Sequence, residues 1–361
     1  MANSDLPAKD SESSKIITDL PGSELTGQGK NIRGIYIPAG KVKSWKHPQL
    51  LKWIKQTNAN AVLIDVKDDL GRVVFTDDLP YAKGSPNGYN KKLGSLITVL
   101  KENNIYTIAR LVCFKDNLLS WTHPETAILD YKTGKKWKDN SESRWVDPYS
   151  QLARDHIESI AVGAKDLGFD EIQLDYVRFP VDKNAATARF PNKTGETKRY
   201  EAIAALLKQV DEAINIPLSI DVFGLTAYHP EDSEALGQKL EYLAPYIDAI
   251  SPMVYLANWP AHYWDSPTPE KTHQVIKGAI ERIYNRLGDN IEVRPLLQGF
   301  QWRAENWGYS FVVNQIDAAN KGGASGYFFW NAAGKYGTVS QVWKNMDREK
   351  NKKTEEILTA R

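Results

Sequence analysis

In the stretch EIQLDYVRFP, Asp175 sits among Ile172, Leu174, Tyr176, Val177 and Phe179. Burying a carboxylate in such a run is costly unless it is paired or put to use. Gln173 and Arg178 can offer it donors, and strand alternation sets Gln173, Asp175 and Val177 on one face. Asp221 closes a second apolar run, PLSIDVFG. Carboxylates on neighbouring strands, ~4.8 Å apart, suit one chemistry well. Glycosidic bond hydrolysis needs two carboxyls flanking the bond, at ~5–5.5 Å for a retaining enzyme and ~6.5–9.5 Å for an inverting one. One must hold a proton near neutrality while the other stays ionised, and burial, a neighbouring charge and an arginine can together arrange that. Neighbouring strands favour the retaining pair, Asp175 as nucleophile with Asp221 as acid/base. Asp65, in AVLIDVK, is two strands away and would suit the inverting pair better. The plainer reading is structural, with Asp175 pairing to Arg178 or Arg110 only to fasten the strands.

Other chemistries have less to work with. The six histidines show no H-x-H or H-E-x-x-H spacing, which leaves a metallohydrolase without its usual ligands. Asp65, Asp68 and Asp69 do not follow the order of an EF-hand loop and read as a solvated turn. No G-x-S-x-G or phosphate-binding glycine loop occurs. Lys67 has acidic neighbours that would keep it charged, against a Schiff-base role. No cofactor is called for.

These residues need elements to position them. Eight short β-branched or aromatic runs alternate with segments of helical apolar spacing: Ile32 to Ile37, Ala61 to Val66, Ile105 to Phe114, Glu171 to Phe179, Pro217 to Phe223, Ala249 to Tyr255, Val293 to Phe300 and Gly326 to Trp330. The pattern predicts an α/β fold, a single (β/α)8 TIM barrel with long loops on its C-terminal face, where such barrels build their sites. An open doubly wound sheet would want a glycine-rich turn after the first strand, and Pro38-Ala39-Gly40 stands there instead. At the strand ends and on the loops beyond them, Asp65, Arg110, Gln173, Arg178, Tyr255, Trp259, Gln298, Trp302, Trp330 and Asn331 form the expected cleft lining. The aromatics among them, with Trp121, Trp137, Trp145, Tyr263, Trp264 and Trp307, suit the apolar faces of sugar rings.

The chain has 361 residues, 42% hydrophobic and 25% charged, with a net charge of +1. That balance gives no reason to expect nucleic acid as partner, and no window has the ~18 apolar residues of a membrane span. The single cysteine, Cys113, lies in an apolar run and reads as a buried thiol. Residues 1–30 read as a flexible polar tether, 31–345 as the barrel and 346–361 as a charged, solvated or frayed helical tail. A tether of this kind fits an extracellular or cell-surface protein whose signal or anchor is missing from this chain, and a cytoplasmic place remains open.

GIYIPAG, AVLIDVKDDLG and above all GFDEIQLDYVRFP resemble the putative glycosyl hydrolase domain family, domain of unknown function 4015, over roughly Asn31 to Trp343. The resemblance implies a bacterial barrel akin to amylase-like and other glycoside hydrolases, often exported, acting on a surface or extracellular polysaccharide or oligosaccharide. By analogy with the amylase-like kind, the acid ending the fourth strand, here Asp175, is the nucleophile. The fifth-strand glutamate of that kind is Asp221 here, and its seventh-strand acid is Gln298. Met253-Val254-Tyr255 echoes the Met-x-Tyr of chitinase-like barrels, with Leu256 where their aspartate stands. A carbohydrate-binding barrel without turnover is the alternative. A lyase or aldolase would need a lysine or metal in the cleft.

Overall fold

The computed structural model describes residues 25, 27–44, 46–76, 78–81, 92–182, 184–230, 233–255, 257, 259, 268–304 and 306–359. The segment up to residue 24, part of the loop after the second strand, Tyr263 and Trp264 lie outside the described residues. Eight parallel strands close a barrel: β1 (Ile32–Ile37), β2 (Ala61–Lys67), β3 (Tyr106–Val112), β4 (Glu171–Asp175), β5 (Leu218–Phe223), β6 (Ala249–Met253), β7 (Glu292–Val293 and Leu296–Gln298) and β8 (Gly326–Trp330). Each strand pairs with the next, and β8 returns to β1 with Gly326 opposite Ile32. Helices connect successive strands, as parallel pairing demands. The (β/α)8 barrel expected from the sequence is the fold observed.

β3 and β6 stop two residues short of their apolar runs, and β4 and β7 depart from theirs for a visible backbone reason. The run expected to continue from Glu171 to Phe179 leaves the sheet after Asp175, because Tyr176 adopts a left-handed backbone (φ 49°). Val177 therefore does not continue the face carrying Gln173 and Asp175. The seventh run breaks between Val293 and Leu296, where Pro295 has no amide hydrogen for the ladder. A two-stranded antiparallel sheet not foreseen in the sequence joins Leu129–Asp130 to Ala188–Arg189, zipping the loop after β3 to the loop after β4.

Alternation divides the strands between two apolar layers. Ile35, Ile37, Val62, Ile64, Ala109, Leu111, Ile172 and Leu174 face the helices, whereas Ile32, Tyr36, Leu63, Ile108, Leu296 and Phe328 fill the barrel. Space inside is tight, since a Cβ on Gly34 would come within 2.1 Å of the Phe328 ring. A register shift between Asp65 and Lys67 turns Lys67 outward, level with Leu111. There it is fully buried, paired with Asp116 at 2.9 Å, and its ammonium also donates to the Val112 carbonyl at 2.6 Å. That placement removes it from the interior and from Schiff-base chemistry. Cys113 is buried, as expected, and burial pushes its thiol pKa up.

The floor of the barrel holds a second ion pair. Arg294, unexposed, donates through both terminal nitrogens to Glu171, which also accepts from Tyr106 at 3.1 Å and from Ser219. Arg294 reaches the Gly29 carbonyl at 3.1 Å as well. Leu25 is buried in the same interior cluster. These two residues of the polar N-terminal segment thus pack against the floor. At the other end of the chain one helix runs unbroken over Gly337–Thr359. It packs through Val339, Val342 and Trp343, and Asp347 accepts from Arg33 of β1 at 2.7 Å.

Candidate active site

Along β4 and β5 the inward-facing positions are polar, Glu171, Gln173 and Asp175 on one and Ser219 and Asp221 on the other. Residues two apart on a strand share a face, so this ladder climbs from the floor to the C-terminal rim. At the rim, Arg110 of β3 binds both neighbouring acids with one guanidinium. Nε donates to Asp175 Oδ2 at 3.0 Å and Nη2 donates to the same oxygen. Nη1 donates to Asp65 Oδ1 at 2.6 Å. Tyr36 holds the far oxygen of Asp65 through its hydroxyl at 2.6 Å, and the Ala39 amide donates to that oxygen at 3.2 Å. Tyr36 also stacks on Trp330 at 3.9 Å, and the Arg110 guanidinium lies 4.8 Å from the Trp330 ring centre. Burial works against the Arg110 charge, but Asp175 and Asp65 more than offset it and hold its pKa well above the ordinary value.

Asp221 lies in a different environment. Register pairs Leu174 with Ile220, so the next step sets Asp175 level with Asp221 on the adjacent strand. Gln173 donates to Asp221 Oδ1, while Oδ2 has no partner among the described residues. Asp221 is 1% exposed and Asp175 6%. Burial and the neighbouring Asp175 charge push the Asp221 carboxyl well above the usual carboxylate range, against the pull of Arg110. The two adjacent acids thus differ in surroundings: Asp175 carries an arginine, whereas burial and the neighbouring charge favour the proton on Asp221.

Above them opens a cavity of about 160 Å³. Arg110, Asp175, Arg178, Tyr255 and Trp330, all marked in the sequence, line it together with Tyr176, Phe223, Met253 and Leu296. Burial raises the Tyr255 pKa well above the ordinary phenol value, and Asp175 and Asp221 add to that shift. The remaining candidates lie elsewhere. Asp65, Gln173 and Asp221 stand behind the lining, in contact with it through hydrogen bonds or charge. Gln298 donates to the Phe300 and Trp302 carbonyls at 3.0 and 2.9 Å, and Asn331 donates to the Gly299 and Lys335 carbonyls at 2.6 and 2.9 Å, so both brace loops. Trp259 is turned to the end of β6, donating to the Met253 carbonyl at 3.1 Å. Trp302 is exposed, with Arg303 across its face at 4.1 Å. The sequence carries no signal of the role of Tyr36, because nothing in GIYIPAG points to Asp65. No cluster of His, Cys, Asp and Glu able to hold a metal occurs among the described residues.

Solved structures with this shape include glycoside hydrolases. The PgaB (BpsB) glycoside hydrolase domain of Bordetella bronchiseptica matches with a TM-score of 0.62 at 12% identity, over 83% of this chain and 94% of its own. The α-galactosidase TtGalA of Thermus thermophilus, in complex with stachyose, matches with a TM-score of 0.54 at 13% identity, over 89% of this chain and 65% of its own. At such identities both speak for the fold alone. A hypothetical protein from Ruminiclostridium thermocellum is 33% identical, over 52% of this chain and 97% of its own, with a TM-score of 0.46. No curated protein matches the chain. A family model described as putative glycosyl hydrolase domain (DUF4015) matches residues 34–336, from within β1 to beyond β8. The barrel and the cleft at its rim thus fall inside that one match, and the chain belongs to the putative glycosyl hydrolase domain family as a glycoside hydrolase-like TIM barrel.

Proposed function

We propose that the barrel hydrolyses a glycosidic bond in a polysaccharide or oligosaccharide by a two-carboxylate, retaining mechanism. The observation that carries this reading is the unequal acid pair: Asp175 at the cleft wall on Arg110, and Asp221 beside it, pushed towards its neutral form. In the first step Asp175 attacks the anomeric carbon and Asp221 gives its proton to the departing oxygen. In the second, Asp221 takes a proton from water as that water displaces Asp175. A proton on Asp221 Oδ2 has no acceptor among the described residues, so it is not committed to an internal bond. Adjacent strands at ~4.8 Å support the short separation that retention needs. Trp330, Phe223 and Tyr255 bring aromatic surface to the cavity wall against which a sugar ring can pack.

A binding barrel without turnover is the second reading. It is favoured by the depth of Asp221, since Asp175 is the one acid among the cavity-lining residues. Product release from a panel of bacterial and plant glycans separates the two. Wild type, Asp175→Asn and Asp221→Asn are assayed, with binding recorded in parallel. Hydrolysis predicts turnover of some glycan by the wild type, reduced at least ~1000-fold in Asp175→Asn while binding persists. Equal binding by all three proteins with no product would establish the binding barrel instead.

A further inference from the structure

Arg178 is the cation in the cleft that the hydrolytic mechanism leaves without work. It follows the turn at Tyr176, lines the cavity and is 8% exposed. Its guanidinium lies over three rings, at 4.6 Å from Phe223, 4.8 Å from Trp145 and 5.2 Å from Tyr176. Nη1 donates to the Phe179 carbonyl at 3.0 Å. Of the acids that act on Arg178, Asp175 is held by Arg110 and Asp139 by Lys115, while Asp182 acts on it through charge without forming an ion pair. Among the described residues none forms an ion pair with Arg178, and its other donors are not walled off from the cavity. A buried charge is normally paired, because desolvation without a counter-charge is expensive. Burial does depress the Arg178 pKa. The three rings fix the orientation of the guanidinium, whose planar fork matches two oxygens of an anion.

Resting on the hydrolytic reading, we infer that the cleft takes an acidic sugar, whose carboxylate, sulfate or phosphate completes the missing ion pair on Arg178 while Asp175 faces the bond to be cut. The substrate class is therefore an anionic glycan rather than a neutral one.

Matched pairs of probes differing only in charge test this: oligogalacturonides against their methyl esters, sulfated oligosaccharides against desulfated ones, and oligosaccharides ending in a sugar phosphate against dephosphorylated ones. Binding is measured calorimetrically to the wild type, Arg178→Gln, Arg178→Lys and Asp175→Asn. We expect one charged probe to bind at least tenfold more tightly than its neutral partner, identifying which anion is read. Arg178→Gln should lose ~10–100-fold for that probe and little for the neutral one, with Arg178→Lys between. Preference for the neutral members, no binding of any charged probe, or equal losses for both members in Arg178→Gln would overturn the inference. Should Arg178→Gln fail to fold, the charged-against-neutral ratio in the wild type decides alone. Turnover is read separately. A bound acidic glycan left uncut by the wild type would sink hydrolysis and leave the anion site standing, whereas a neutral glycan cut equally well by wild type and Arg178→Gln would do the reverse.

Discussion

Arg110 carries two acids on one fork, and its removal leaves both buried without a counter-charge. Arg110→Met should therefore lower the unfolding free energy by about 3–5 kcal/mol, read by urea denaturation at pH 7. Adding Asp65→Asn should return part of that loss. Asp221 makes a prediction of opposite sign. Its ordinary value is 3.8, and burial and Asp175 raise it in the folded protein. The native state thus holds the proton more tightly, and the stability this contributes is full below pH 3.8 and is lost as pH rises through the raised folded value. Asp221→Asn titrates nowhere, so its melting temperature should gain on the wild type as pH climbs through that window; a gap that stays constant with pH would refute the assignment. Asp175 and Asp221 were legible because an acid at the end of an apolar strand stands out by composition alone. The pairing of Glu171 with Arg294 was not, for the two are 123 residues apart and each looks ordinary in its own segment. Gln298 and Asn331 mark the limit of strand-end position as a guide. A polar residue there can as readily brace a loop as face a cavity.

The eight strands could be read from the sequence because both faces of a barrel strand are covered, which leaves near-continuous apolar runs. Their ends could not, because backbone angles decide them. Tyr176 turns the chain at a left-handed angle, and that turn carries Tyr176 and Arg178 to the cavity wall. Pro295 cuts the seventh run without moving it from the barrel, as the Arg294 amide still donates to the Ile250 carbonyl at 2.9 Å. The small sheet joining the two loops rests on pairs of only two residues and left no periodic trace. Between β1 and β8, Gly34 gives way to Phe328. Gly34→Ala should cost about 1–3 kcal/mol through overpacking, and Phe328→Leu in the same chain should relieve part of it, measured as the shift in denaturation midpoint at constant slope.

Inside the barrel two charged assemblies stand at opposite ends, Arg110 with its acids at the rim and Glu171 with Arg294 at the floor. Stability and recognition should therefore separate. Glu171→Gln ought to destabilise by about 3–5 kcal/mol, since it strands Arg294, yet leave glycan affinity of the folded protein unchanged. Parallel melting and binding curves test that separation, and a matching loss of affinity would count against it. No helix among the described residues is long and apolar enough to cross a membrane. The floor pair has one further consequence, for the chain as it is made. Glu171 leaves the ribosome 123 residues ahead of Arg294, an interval of roughly 6–25 s at ~5–20 residues per second. Until then Glu171 has no Arg294 to pair with at the floor. The first six strands should therefore be unable to bury that acid dry before the seventh strand arrives.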